Sequence, residues 1–110
     1  MTEERRKNPR FVVDVPVRLT VGTLTTQGRL RDICRDAALV EVEAPQALDS
    51  TVTLLLELPG TGGLLRVVGR VIRLASAEEG RHGAAILFTE VPPAAEARID
   101  FFVALQSGHA

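Results

Sequence analysis

Apolar and polar residues alternate along most of this chain, which is the two-residue period of strands with one buried face. The first run covers residues 11–21, where an apolar residue occupies every second position. Five similar runs follow, at residues 25–33, 38–42, 51–58, 64–75 and 83–91. Six short strands with short connections predict a mainly β fold, an antiparallel barrel or sandwich.

Proline and glycine add detail to the predicted strands. Pro16 cannot donate a backbone hydrogen bond, so the first strand is expected to lie at an edge or to carry a bulge there. Gly69 predicts a bulge or a closely packed crossing in the fifth strand. The Pro-Gly and Gly-Gly pairs at residues 59–63 predict a hairpin connection between the fourth and fifth strands.

The pattern changes to a helical period after the last strand. Ile99, Phe102 and Val103 recur at helical spacing within residues 94–106, and Phe101 and Leu105 widen the apolar stripe. The sequence therefore predicts a C-terminal helix that packs on the barrel or on a second copy of the chain.

Composition limits the class of protein. The 110 residues are enough for one domain, and with four Phe and no Trp or Tyr the core must be aliphatic. The single cysteine, Cys34, cannot form an internal disulfide, and no secretory signal is recognisable, so a cytoplasmic protein is expected. No apolar run approaches the ~20 residues of a membrane span, so membrane insertion is not expected.

Charge is concentrated at the N-terminus. The whole chain has 13 Lys and Arg against 14 Asp and Glu, yet Arg5, Arg6, Lys7 and Arg10 crowd into its first ten residues. We interpret residues 1–10 as a flexible basic arm and residues 11–107 as the folded domain. A local basic cluster on a near-neutral chain favours a small anionic partner, since guanidinium groups can bind phosphate or the O6 and N7 atoms of guanine.

The arm and the start of the third strand together resemble the PilZ domain, a bacterial receptor module for cyclic di-GMP. Arg6 and Arg10 match its arginine pair, with Arg5 as an extra arginine, and residues 32–37 occupy the place of its second motif. The resemblance implies a six-stranded antiparallel β-barrel with a C-terminal α-helix, and a ligand site at these positions: Arg5, Arg6, Arg10, Asp32, Cys34 and Ala37.

Two residues depart from the second motif. Cys34 replaces a serine, and a thiol is a weaker hydrogen-bonding group than a hydroxyl. Ala37 replaces a glycine, so a positive φ would be strained there, and a methyl group beneath the ligand would block its approach. Together these changes are expected to cost on the order of 2–4 kcal/mol of binding free energy, about two to three decades in affinity.

Other classes of function are less well supported. No nucleophile with a neighbouring base is recognisable, so an enzyme is not expected. His82 and His109 form no ligand set for a metal. A strand surface without stacking aromatics argues against a nucleic-acid-binding barrel. Cys34 lies near Arg31 and Arg35, but it is interpreted as a packing residue and not as a redox sensor.

The expected function is that of a single-domain PilZ signalling adaptor without catalysis or cofactor. It would act on a protein partner in bacterial motility or surface behaviour, with cyclic di-GMP binding weakened or lost. One alternative is a functional cyclic di-GMP receptor whose arginine arm orders around the ligand. Another is a dimerisation unit, a homodimer formed through the C-terminal helix.

Overall fold

The computed structural model describes residues 11–76 and 80–106, so the predicted basic arm lies outside the described residues. Six strands and one helix follow in the predicted order. They are β1 (Phe11–Val21), β2 (Leu24–Ile33), β3 (Ala37–Val42), β4 (Thr51–Leu56), β5 (Leu65–Ser76), β6 (His82–Glu90) and α1 (Pro93–Gln106). The fourth predicted strand was two residues too long, although Leu58 beyond its end is fully buried.

The strands close into an antiparallel barrel in the order β1-β2-β3-β6-β5-β4. Of the two predicted architectures, a barrel or a sandwich, this confirms the barrel. Its interior is aliphatic, as the composition required. The largest fully buried barrel side chains are Leu19, Leu30, Ile33, Leu54, Leu65, Ile86, Val40, Val42 and Val52. Among the described residues no polar or charged side chain is buried.

The bulge expected near Pro16 is present. The pairing of β1 with β2 shifts by one residue between Val12 and Val15, directly before Pro16. Strand β4 pairs with β1 only from Val17 to Thr20, so the missing N–H of Pro16 interrupts no hydrogen bond of that ladder.

Helix α1 packs one side against the core of the barrel. Ile99, Phe102 and Val103 are buried there, as predicted. Phe101 and Leu105, which widen the predicted apolar stripe, remain 49% and 39% exposed, so the barrel covers only part of that stripe. They lie on the side of the helix that the barrel does not cover.

Gly69 lies where β5 and β6 pack closely against each other, as predicted. A Cβ atom at this position would lie 2.5 Å from Cγ2 of Ile86 and 2.7 Å from the carbonyl oxygen of Leu87. The pairing of β5 with β6 also shifts at this point. Glycine therefore lets β5 and β6 approach closely beside the start of β3.

Candidate functional site

The second predicted motif lies at the junction of β2 and β3. Asp32 is the next-to-last residue of β2, Cys34 lies in the connection, and Ala37 begins β3. Leu30 pairs with Val40 and Asp32 pairs with Leu39, so Arg31 is an extra residue in β2. Because side chains alternate between faces of a strand, this bulge turns Asp32 to the outer surface and returns Ile33 to the core.

Cys34 points away from solvent. Its side chain is 5% exposed, and its thiol donates a hydrogen bond to Oδ1 of Asp36 at 3.1 Å. Burial, followed by the hydrogen bond to Asp36, raises the pKa of the Cys34 thiol above its usual value. The thiol is therefore protonated at neutral pH, which fits the packing interpretation and not a reactive cysteine.

Ala37 carries no left-handed backbone strain. In the described part of the chain the one non-glycine residue with positive φ is Asp49, at 68°. Ala37 instead forms a regular strand pair with Leu87, and its carbonyl oxygen accepts a hydrogen bond from the Cys34 N–H at 2.9 Å. Its neighbour Ala38 faces the core, so the half-buried methyl group of Ala37 faces outward.

Ion pairs occupy the outer surface beside Asp32. Asp14 accepts hydrogen bonds from Arg29 Nε at 2.8 Å and from Arg31 at 3.0 Å, and Arg31 also lies 3.5 Å from Glu41. The hydrogen bond from Arg29 is the main reason why the pKa of Asp14 lies below its usual value. This cluster balances its own charge, so Arg29 and Arg31 are already engaged.

An apolar floor extends from Asp32 across the neighbouring strands. One row of paired residues runs from Asp32 to Leu39 on β3 and Ala85 on β6, and it ends at Arg73 on β5. The neighbouring row contains residues of three strands, Ala37, Leu87 and Arg70. The floor thus consists of the half-buried Leu39, Ala37 and Leu87 and of Ala85, which is only 9% exposed, between a carboxylate and two guanidinium groups.

The connection between β2 and β3 is tied to the helix. Arg35 Nε lies 3.2 Å from Oδ1 of Asp100 on α1. On the other side, the Phe88 N–H donates to the carbonyl oxygen of Asp36 at 2.8 Å. The second motif therefore contacts both β6 and α1.

The structure brings Asp32, Cys34 and Ala37 together, but only Asp32 and Ala37 face outward. Arg5, Arg6 and Arg10 lie outside the described residues. Sequence reasoning missed the floor and Arg70 and Arg73, because their placement depends on strand order and on bulges. The apolar residues next to these arginines gave no local signal of a site.

The family model of the PilZ domain matches residues 4–105. This chain belongs to the PilZ family. The match covers residues 4–10 of the arm, all six strands and most of the helix, in agreement with the resemblance noted in the sequence. The PilZ domain is a cyclic di-GMP-binding domain.

Solved PilZ structures share the fold. The PilZ domain of YcgR from Escherichia coli, determined with c-di-GMP, is 14% identical with a TM-score of 0.72, and 94% of each chain is covered. The PilZ domain of CeSA from a cellulose-synthesizing bacterium is 22% identical with a TM-score of 0.66, covering 90% of this chain and 98% of that one.

The inhibitor of motility MotI/DgrA from Bacillus subtilis is 13% identical, with a TM-score of 0.79 over 94% of this chain. The present chain spans about half (52%) of its length.

A search of curated proteins finds no match to this sequence. Within the described residues, no helix has the length and hydrophobicity required to cross a membrane.

Proposed function

We propose that this chain is a non-catalytic PilZ adaptor that binds cyclic di-GMP with weakened affinity and passes the signal to a protein partner. The observation that carries this proposal is the conformation of Ala37. A strained backbone there was one of the expected penalties against binding, and Ala37 adopts ordinary strand geometry. The remaining penalties are the Ala37 methyl group and the weak hydrogen bonding of Cys34.

The outer surface supports this proposal chemically. Asp32 faces outward and can accept hydrogen bonds from the N1–H and N2–H groups of a guanine. The adjacent apolar floor offers a surface for a purine base. The guanidinium groups of Arg6 and Arg10, with Arg5, would bind phosphate oxygens or the O6 and N7 atoms of guanine. Ordering of the arm around the ligand would create a new surface for the partner.

Isothermal titration calorimetry with cyclic di-GMP tests this function. We expect measurable binding that weakens at least about tenfold in Arg10→Ala, because a bidentate arginine contact is lost. Arg18→Ala is the matched control, since Arg18 is exposed, has no side-chain partner among the described residues and lies outside the floor. No heat of binding at millimolar ligand, or equal effects of the two variants, would overturn the proposal.

The motility or surface behaviour expected of the partner rests on family resemblance. The structural neighbour MotI/DgrA is described as an inhibitor of motility, which supports this choice of pathway for the adaptor. Affinity capture of cellular proteins with and without cyclic di-GMP would identify the partner. Capture that is insensitive to the ligand would contradict a ligand-controlled adaptor.

A second candidate function is homodimerisation through α1. Phe101 and Leu105 are large apolar side chains on the exposed side of this helix. Pairing of this surface between two chains would remove them from water. Light scattering distinguishes this function, since a monomer at high micromolar concentration would exclude it.

A further inference from the structure

The positions of Asp32 and Arg73 depend on two bulges. Val71 on β5 is fully buried, so in a regular strand Arg73, two residues later, would also face the core. Val71 pairs with Ile86, however, and Arg73 pairs with the adjacent Ala85, so Ile72 is an extra residue. This bulge turns Arg73 outward, as the bulge at Arg31 turns Asp32 outward.

The two bulges place a carboxylate and a guanidinium group at the two ends of one row of paired residues. Asp32, Leu39, Ala85 and Arg73 are successive partners on β2, β3, β6 and β5. Three strand spacings separate the ends, roughly 14 Å along the barrel surface. Leu39 and Ala85 between them are apolar, so the row is a floor with a hydrogen-bond acceptor at one end and donors at the other.

Arg73 is available to a ligand. Arg29, Arg31, Arg35 and Arg98 are all engaged with carboxylates or a backbone carbonyl. Arg73 is exposed and has no ion pair or side-chain hydrogen bond in the described part of the chain. Its guanidinium group remains charged at all relevant pH values.

From this geometry we propose that Arg73 is a guanine-binding residue outside both sequence motifs. It donates two hydrogen bonds to O6 and N7 of one base of cyclic di-GMP, while Asp32 binds the other base. Adenine presents an amino donor where guanine presents O6, so Arg73 also selects against adenine. This inference rests on the proposed binding of cyclic di-GMP and names a further specificity residue of that site.

Calorimetry on Arg73→Ala tests the contact, with Arg66→Ala as the matched control. Arg66 lies on the same strand, is exposed and has no side-chain partner among the described residues, but pairs with Leu55 away from the floor. We expect Arg73→Ala to weaken cyclic di-GMP binding about tenfold and Arg66→Ala less than twofold. Both variants remove one positive charge, so a general electrostatic effect would act on both.

Competition with cyclic di-AMP tests the base selectivity. We expect Arg73→Ala to change the affinity for cyclic di-AMP less than twofold, so that discrimination between the two ligands falls. Equal losses for both ligands, or equal effects of Arg73→Ala and Arg66→Ala, would overturn the inference while leaving the proposed function intact. Failure of the unmodified protein to bind cyclic di-GMP would overturn both.

Discussion

At the scale of single residues, the proposed binding of cyclic di-GMP depends on the side chains of the second motif. The methyl group of Ala37 faces the outer surface in the row of Leu87 and Arg70, and its backbone is unstrained. The penalty expected at this residue is therefore the space that its methyl group occupies, and not its conformation.

Ala37→Gly is predicted to increase the affinity for cyclic di-GMP about fivefold, or about 1 kcal/mol, because a ligand can approach the floor more closely. The same change should lower the free energy of unfolding by roughly 0.5–1 kcal/mol, because glycine is less favourable in a strand. Calorimetry and urea denaturation measure the two effects. Unchanged or weaker binding would show that the methyl group is no obstacle.

Cys34 makes the stability dependent on pH at the alkaline end. Its thiol has a raised pKa in the folded state, so the unfolded chain releases this proton first as the pH rises. We expect its contribution to stability to be complete below pH 9 and to decline above it. Cys34→Ser has no thiol to ionise, and urea denaturation from pH 8 to 10.5 should show a smaller decline for this variant. Identical declines would contradict the assignment.

At the scale of elements, the sequence was sufficient for most of the fold. Alternation identified all six strands and the helical period identified α1, because burial of one face leaves a direct record in the order of residues. The bulges at Arg31 and Ile72 leave no such record, and each of these extra residues reverses the facing of the residues that follow it. Asp32 was found because a short motif contains it, whereas Arg73 depends on strand order and on the bulge at Ile72.

Gly69 tests the close crossing of β5 and β6. Gly69→Ala is expected to reduce the free energy of unfolding by about 1–3 kcal/mol, because the new Cβ meets Ile86 and the backbone of Leu87. Thr51→Ala, an exposed position on the adjacent β4, should change it by less than about 0.5 kcal/mol. Urea denaturation compares them, and similar midpoints would show that β5 and β6 separate easily at this point.

For the whole molecule, adjacent phenylalanines on α1 have separate roles. Phe102 is fully buried in the core, whereas Phe101 is half-exposed. Phe102→Ala should lower the free energy of unfolding by about 3–5 kcal/mol because it leaves a cavity. Phe101→Ala should change it by less than about 0.5 kcal/mol.

The same pair tests dimerisation. If two chains associate through α1, Phe101→Ala is expected to convert dimer to monomer in light scattering while thermal unfolding of the domain is preserved. A dimer that survives this change uses another surface. Loss of folding in Phe101→Ala would instead place this side chain in the core.

The ion pair between Arg35 and Asp100 joins the connection between β2 and β3, where we propose that the ligand binds, to the C-terminal helix, and this has a thermodynamic consequence. A protein that binds the helix and takes Asp100 out of this ion pair would remove one of the contacts that hold the loop after Asp32. Linkage is reciprocal, so a helix-binding protein that is released by cyclic di-GMP must weaken nucleotide binding by the same factor. Sensitivity to the second messenger would then vary with the abundance of the protein it controls.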